Sequence, residues 1–276
     1  MKPDAFIPLR YLGQVDMKEI RVGVIGGTRG MGRWFADFMA QQGCAVEICG
    51  QRTAVTPAML AASCEVVVVT VPIGVTVGII EEIGPLLREE SLLMDLTSLK
   101  AAPVKAMLEN SRAEVVGCHP LFGPRVRNLR GRSVVLCPAR TTRWLPWLRD
   151  ILQAAGALVI ETTPEAHDQR MALVQGLNHL NSLLMGLVAS SAGADLEDLR
   201  PFSTPAFDEK MKLVYKIFYP HPRLSAEIMA LNPDIQPILD LYEQTLSAFK
   251  IMIQNRDVDG MTTIMAAHAA RLWPTG

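Results

Sequence analysis

The segment Gly117-Cys118-His119-Pro120-Leu121-Phe122-Gly123-Pro124 sets one histidine in a rigid frame directly after the apolar pair Val115-Val116. A neutral imidazole, with an unperturbed pKa of about 6.5, accepts a proton near neutral pH and can act as a general base. If the apolar run is a strand of a parallel sheet, His119 lies in the crevice beyond the strands' carboxyl ends, where such sheets bind ligands. The competing reading is a histidine that only satisfies backbone groups in a turn. Ser98 follows another apolar run, Leu92 to Leu96, and reaches the same sheet edge. Its hydroxyl can orient a reacting group or cap a helix over Leu99 to Leu108, and the two roles are compatible. Lys100 reads as a solvated charge.

A second set of polar residues lies on a long apolar helix expected from Pro164 to about Ala192. His167 and Asp168 open it, where an aspartate also suits the positive end of the helix dipole. His179 comes eleven residues after Asp168, three turns plus about 20°, so both fall on one stripe together with Gln175. A rise of about 1.5 Å per residue keeps Asp168 and His179 roughly 16 Å apart, so they serve different parts of any site. A polar stripe on an apolar helix fits a wet, ligand-filled cleft, with buried hydrogen-bonded polar groups as the alternative.

Near the start, Val22 to Ile25 runs into Gly26-Gly27-Thr28-Arg29-Gly30-Met31-Gly32 and then the amphipathic segment Arg33 to Gln42. Strand, glycine turn and helix in that order let backbone N–H groups and the helix's positive end hold a pyrophosphate. In the G-x-G-x-x-G frame ending at Gly32, Arg29 replaces the middle glycine. It either blocks the usual backbone approach or adds a phosphate ligand, with Gly26, Gly27 and Gly30 making the tight turns. The second strand ends in Cys49-Gly50-Gln51-Arg52-Thr53, without the acid that NAD sites place against the ribose hydroxyls. Arg52 and Thr53 favour NADP, with NAD as the alternative and a solvated arginine as the bland reading. Val71 and Pro72, at the end of the third apolar run, are assigned to the cofactor as well.

These residues need a scaffold. Apolar runs at Arg21 to Ile25, Val46 to Cys49, Val66 to Val71, Leu92 to Leu96, Val115 to Cys118, Val134 to Cys137 and Leu158 to Ile160 alternate with helical stretches. This pattern predicts an α/β doubly wound, Rossmann-like parallel sheet over residues 1–163, preceded by an arm at 1–19. After Thr163-Pro164 the β-branched clusters vanish, and residues 164–276 read as an all-helical substrate and dimerisation domain. Its helices are expected at Pro164 to Ala192, Pro205 to Tyr219, Pro222 to Leu231, Pro233 to Asn255 and Val258 to Leu272. Helices this apolar point to a homodimer.

With 276 residues, 49% hydrophobic, and 27 basic against 28 acidic residues, the chain can bury a large core and carries no charge excess toward nucleic acid or membrane. Its five cysteines show no C-x-x-C spacing, and the expectation is a soluble cytoplasmic protein with a small-molecule partner and no metal.

Taken together, Gly26-Gly27-Thr28-x-Gly30-Met31-Gly32-x-Trp34-Phe35, Leu96-x-Ser98-x-Lys100, the histidine block and His167-Asp168-Gln169 resemble the prephenate/arogenate dehydrogenase family, most of all its archaeal-type branch. The resemblance implies oxidative decarboxylation of prephenate in tyrosine biosynthesis. It implies that His119 is the catalytic base, that Ser98 is the active-site serine and that Asp168 organises the network around them. His179 would contact substrate. Lys216 stands where relatives place an arginine for a substrate carboxylate, and Lys212 matches a family lysine. Lysine keeps the charge but loses the planar grip. Of Arg125, Arg127, Arg130 and Arg132, one or more could meet a substrate carboxylate or cofactor phosphate. The same chemistry on arogenate and a non-catalytic nucleotide-binding dimer are the alternatives.

Overall fold

The computed structural model describes residues 20–274, so the arm expected at 1–19 lies outside the described residues. Residues up to Asn232 form one compact unit and residues from Pro233 on a second.

The first unit is built on a seven-stranded sheet: β1 (Arg21–Ile25), β2 (Ala45–Cys49), β3 (Val66–Val69), β4 (Leu92–Asp95), β5 (Glu114–Pro120), β6 (Ser133–Arg140) and β7 (Leu158–Glu161), in the order β2-β1-β3-β4-β5-β6-β7. The seven expected runs are all strands. β3 reads Val-Val-Val-Val and is buried throughout, because side chains alternate between two covered faces. Val66 and Val68 meet one core with Phe35 and Met39 of α1 (Gly30–Gln41) and Trp144 and Leu148 of α5 (Trp144–Ala154). Val67 and Val69 meet the other, with Leu60 of α2 (Pro57–Ser63), Ile80 of α3 (Ile73–Ile83) and Met107 of α4 (Ala101–Asn110).

One pairing departs from the parallel expectation. β5 and β6 run antiparallel, with His119 opposite Val135. A parallel return needs a crossover, usually a helix, and the connection from Leu121 to Arg132 has none, so the chain turns straight back.

The helical run after Thr163 continues in the same unit. α6 (Pro164–Met171) passes through a π-helical stretch, Ala172–Leu177, into α7 (Asn178–Ser191). The expected single helix is therefore continuous but contains a wide turn. A short α8 (Leu196–Leu199), then α9 (Pro205–Phe218) and α10 (Pro222–Ala230) follow. Gly186 of α7 packs so closely on Val214 and Phe218 of α9 that a methyl group would fall 2.7 Å from both. The second unit holds α11 (Ile235–Gln254) and α12 (Val258–Leu272). Leu241, Leu246, Ile251, Ile253, Val258, Met265 and Leu272 are exposed on it. No helix among the described residues is long and apolar enough to cross a membrane.

Candidate active site

β4 and β5 lie side by side, Asp95 opposite Gly117, and deliver Ser98 and His119 to one edge of the sheet. His119, only 3% exposed, meets His167 of α6 edge to face, with Nδ1 to Nε2 at 2.9 Å. His167 Nδ1 lies 2.7 Å from Asp168 Oδ1. A carboxylate only accepts, so His167 donates from Nδ1 and, as a neutral ring, accepts at Nε2. His119 then donates from Nδ1, and its Nε2 is left as a lone pair. That lone pair faces the Gln175 amide nitrogen at 3.5 Å. The chain Asp168–His167–His119 thus fixes which nitrogen of His119 is basic.

Burial, then the Lys100 and His167 charges, pull the His119 pKa well below its ordinary value, so the ring is neutral at neutral pH. His179, at the start of α7, is shifted in the same direction by burial, opposed by a hydrogen bond to the Ser225 backbone. Buried Gln175 Oε1 and His179 Nδ1 have no partner among the described residues. Such atoms are costly unless something pairs with them, and a bound ligand would. Gln175 sits inside the π-helical stretch, which carries an extra residue per turn and breaks the α-helical stripe count that related Asp168 to His179.

Asp168 does more than orient His167. It accepts from Lys100 N–H at 2.8 Å and Ala101 N–H at 2.9 Å, and so caps α4 from outside it. The cap of its own helix is Thr163, whose hydroxyl accepts from Ala166 N–H. Ser98 therefore is not the cap of α4, and it stays half-buried at the sheet edge. Lys100, expected in solvent, has no exposed surface and pairs with Asp95.

The caps also single out the pyrophosphate site. α2 is capped by Thr56, α3 by Glu227 of α10 through Ile73 N–H, α4 by Asp168, and α5 by Glu114, which accepts from the backbone of Thr142, Arg143 and Trp144. α1 has no side-chain cap and no acid in its first turn. Its N–H groups and positive pole are left for an anion, which fits a dinucleotide pyrophosphate. Gly26 and Gly30 take left-handed φ angles of 86° and 60°, which shape the loop ahead of it, while Gly27 does not. Thr28 and Arg29 are exposed there, Met31 is half-buried and Gly32 buried. Arg52 is exposed in the turn after β2. Thr53 is committed locally, its hydroxyl accepting from Gly50 N–H and facing the Gly50 and Val55 carbonyls. Val71 and Pro72 lead into α3.

Lys212 and Lys216 stand apart from the relay. Both are exposed on α9 and line a broad cleft of about 1250 Å³ together with Arg125, Arg200 and Tyr215. Lys212 is paired with Glu209 at 2.6 Å.

Residues 37–161 match the family model described as prephenate dehydrogenase, nucleotide-binding domain, and residues 163–267 match its dimerization domain. The chain belongs to the prephenate dehydrogenase family. A probable arogenate/prephenate dehydrogenase of Methanocaldococcus jannaschii is 31% identical over 265 residues, 89% of this chain and 59% of that protein. The T-protein of Haemophilus influenzae is 29% identical over 92% of this chain and 67% of its own length. The chain thus spans about three fifths to two thirds of these relatives. In fold it is similar to the prephenate dehydrogenase from A. aeolicus solved with hydroxyphenyl propionate and NAD+, with a TM-score of 0.69 and 19% identity over 94% of this chain and 99% of that one. Synechocystis arogenate dehydrogenase gives the same TM-score and identity over 90% and 97%. Membership brings a nicotinamide cofactor, for which the uncapped α1 and its glycine loop are suited.

Proposed function

We propose that this chain is a prephenate dehydrogenase that converts prephenate to 4-hydroxyphenylpyruvate, with NADP as its cofactor. The nicotinamide, when bound, takes the hydride from ring carbon C4. His119 Nε2 takes the proton from the C4 hydroxyl, and the C4–O bond becomes the phenol as carbon dioxide leaves the ring. The observation that carries this reading is the hydrogen-bonded chain that leaves His119 Nε2 as the lone pair. Ser98 orients the hydroxyl, His179 and Gln175 satisfy their unpartnered atoms on the substrate, and Asp168 keeps His167 in the required tautomer. Lys216, supported by Lys212, attracts a substrate carboxylate. Pyrophosphate is held by the loop Gly26 to Gly32, and Arg52 reads the 2′-phosphate, while the committed hydroxyl of Thr53 shapes the turn.

The two halves divide at 163/164 in this reading, and the exposed apolar residues of α11 and α12 support a homodimer. An intracellular location fits five free, buried cysteines. Purified protein mixed with prephenate and NADP should generate reduced-nicotinamide absorbance, with arogenate and NAD as the comparison arms. His119→Asn should lower turnover about 10²-fold or more with cofactor affinity spared. Absence of turnover on both substrates with both cofactors would refute the activity. A monomer at micromolar concentration in ultracentrifugation would refute the dimer.

A further inference from the structure

Lys100 grips the relay at both of its ends. Its ammonium donates to the carbonyl of Cys118, the residue just before His119, at 2.9 Å. Its backbone N–H donates to Asp168 Oδ1, the oxygen that also takes the His167 proton. The stem runs over Gly117, where a Cβ would stand 3.1 Å from Lys100 Cδ and 2.7 Å from Val104 Cγ2. The glycine that opens the histidine block is therefore the slot through which Lys100 passes. A fully buried ammonium costs several kcal/mol unless it is paired. Here Asp95 pairs with it, itself held by Thr97 N–H at 2.9 Å and the Thr97 hydroxyl at 2.5 Å, while Asp95 Oδ1 has no partner. Buried ion pairs of this kind can often be replaced by apolar residues with no loss of stability, so stability alone does not explain keeping one here.

We infer that Lys100 is a positioning residue: through the Cys118 carbonyl and the Asp168 carboxylate it holds His119 with Nε2, and not Nδ1, turned to the reacting hydroxyl. This rests on the reading of His119 as the base. The groups facing His119 are Lys100 and Asp95 from the β4–α4 segment, His167 and Asp168 from α6, the uncharged Gln175, and the thiols of Cys118 and Cys137. Burial pushes both thiols up, Cys137 to about 12, so they stay neutral. The Lys100 charge works in the same sense as its geometry, because a nearby cation disfavours imidazolium.

The test is Lys100→Met in the full chain. It should lower kcat about 10- to 100-fold, as expected when a reacting group is misplaced, with KM for prephenate within about threefold. The acid limb of the kcat–pH profile should move to higher pH, because imidazolium is no longer opposed. Lys100→Met/Asp95→Asn removes the carboxylate whose unpaired charge could keep the single variant from folding, and it should show the same loss of kcat. Long-range proton–nitrogen NMR of the imidazoles, recorded without substrate, should show the Nδ1–H tautomer of His119 in the wild type and a mixture in the variants. This readout needs no turnover. Wild-type protein inactive on prephenate would sink the proposed reaction and leave the positioning claim to the spectra. An Nε2–H tautomer in the wild type, or folded variants with unchanged kcat and acid limb and only a lowered Tm, would overturn the inference.

Discussion

His167→Phe separates the relay from the helix cap. The ring fills similar space but offers no acceptor, so His119 Nδ1–H loses its 2.9 Å partner, while Asp168 still receives Lys100 and Ala101 N–H. A buried donor left unsatisfied costs about 1–3 kcal/mol. His119 avoids that cost by moving its proton to Nε2, the position that must be empty for it to act as a base. At about 1.4 kcal/mol per factor of ten, the competent tautomer drops roughly 5- to 160-fold, and kcat should follow. KM for prephenate should change little, since the ring itself stays in place. Steady-state kcat at saturating substrate and cofactor, paired with imidazole NMR, measures both sides of the argument. A kcat within about twofold of wild type, in a folded variant whose His119 has lost its Nδ1 acceptor, would refute the tautomer reasoning.

Asp168→Ala should be far more damaging to the fold, because two buried backbone N–H groups of α4 lose their acceptor, at about 2–6 kcal/mol together; a thermal melt compared with that of His167→Phe checks the ranking. Glu114 accepts from three backbone N–H groups at the start of α5 and from two threonine hydroxyls, and these bonds outweigh its partial burial and hold its pKa at about 2. Its folded-state pKa is depressed, so its contribution is complete above about pH 4.5 and is lost as pH falls through 2. Allowing for solvent screening, Glu114→Gln should cost about 1–2 kcal/mol in denaturant at pH 7 and close to nothing near pH 2. Arg52→Ala should raise KM for NADP about tenfold or more and leave KM for NAD within about twofold, read from initial rates with each cofactor. Glu227→Ala uncaps α3 and should destabilise the protein by about 1–2 kcal/mol in the same denaturant assay.

The elements were legible where neighbouring residues decide them. β1 and α12 fall on the expected bounds, because a continuous β-branched run and a run of small and apolar helix formers each have one solution. The prolines at 205 and 222 mark helix starts since proline suits the first turn. The direction of β6 was not legible: a strand buried on both faces looks the same whichever way it runs. The wide turn at Ala172–Leu177 was hidden as well, since it is a change of backbone hydrogen bonding with no side-chain signature. His119, Asp168 and Gln175 could be chosen from residue type and position. Lys100 could not, because a lysine is normally solvated and its partners Asp95, Cys118 and Asp168 come from three separate elements. The same distance in sequence concealed the capping of α4 by Asp168, and the fact that Ser98 is free of that task.

The wide turn between α6 and α7 makes the geometry of this helix sensitive to length in a way that ordinary helix interiors are not. Deleting one residue there would let the coil wind tightly from Pro164 to Ser191, and everything beyond would swing by about 100°. His167 and Asp168 would keep their places, but His179 would rotate off the side it now shares with Gln175, so a single lost codon could leave a well-folded protein that no longer recognises its substrate.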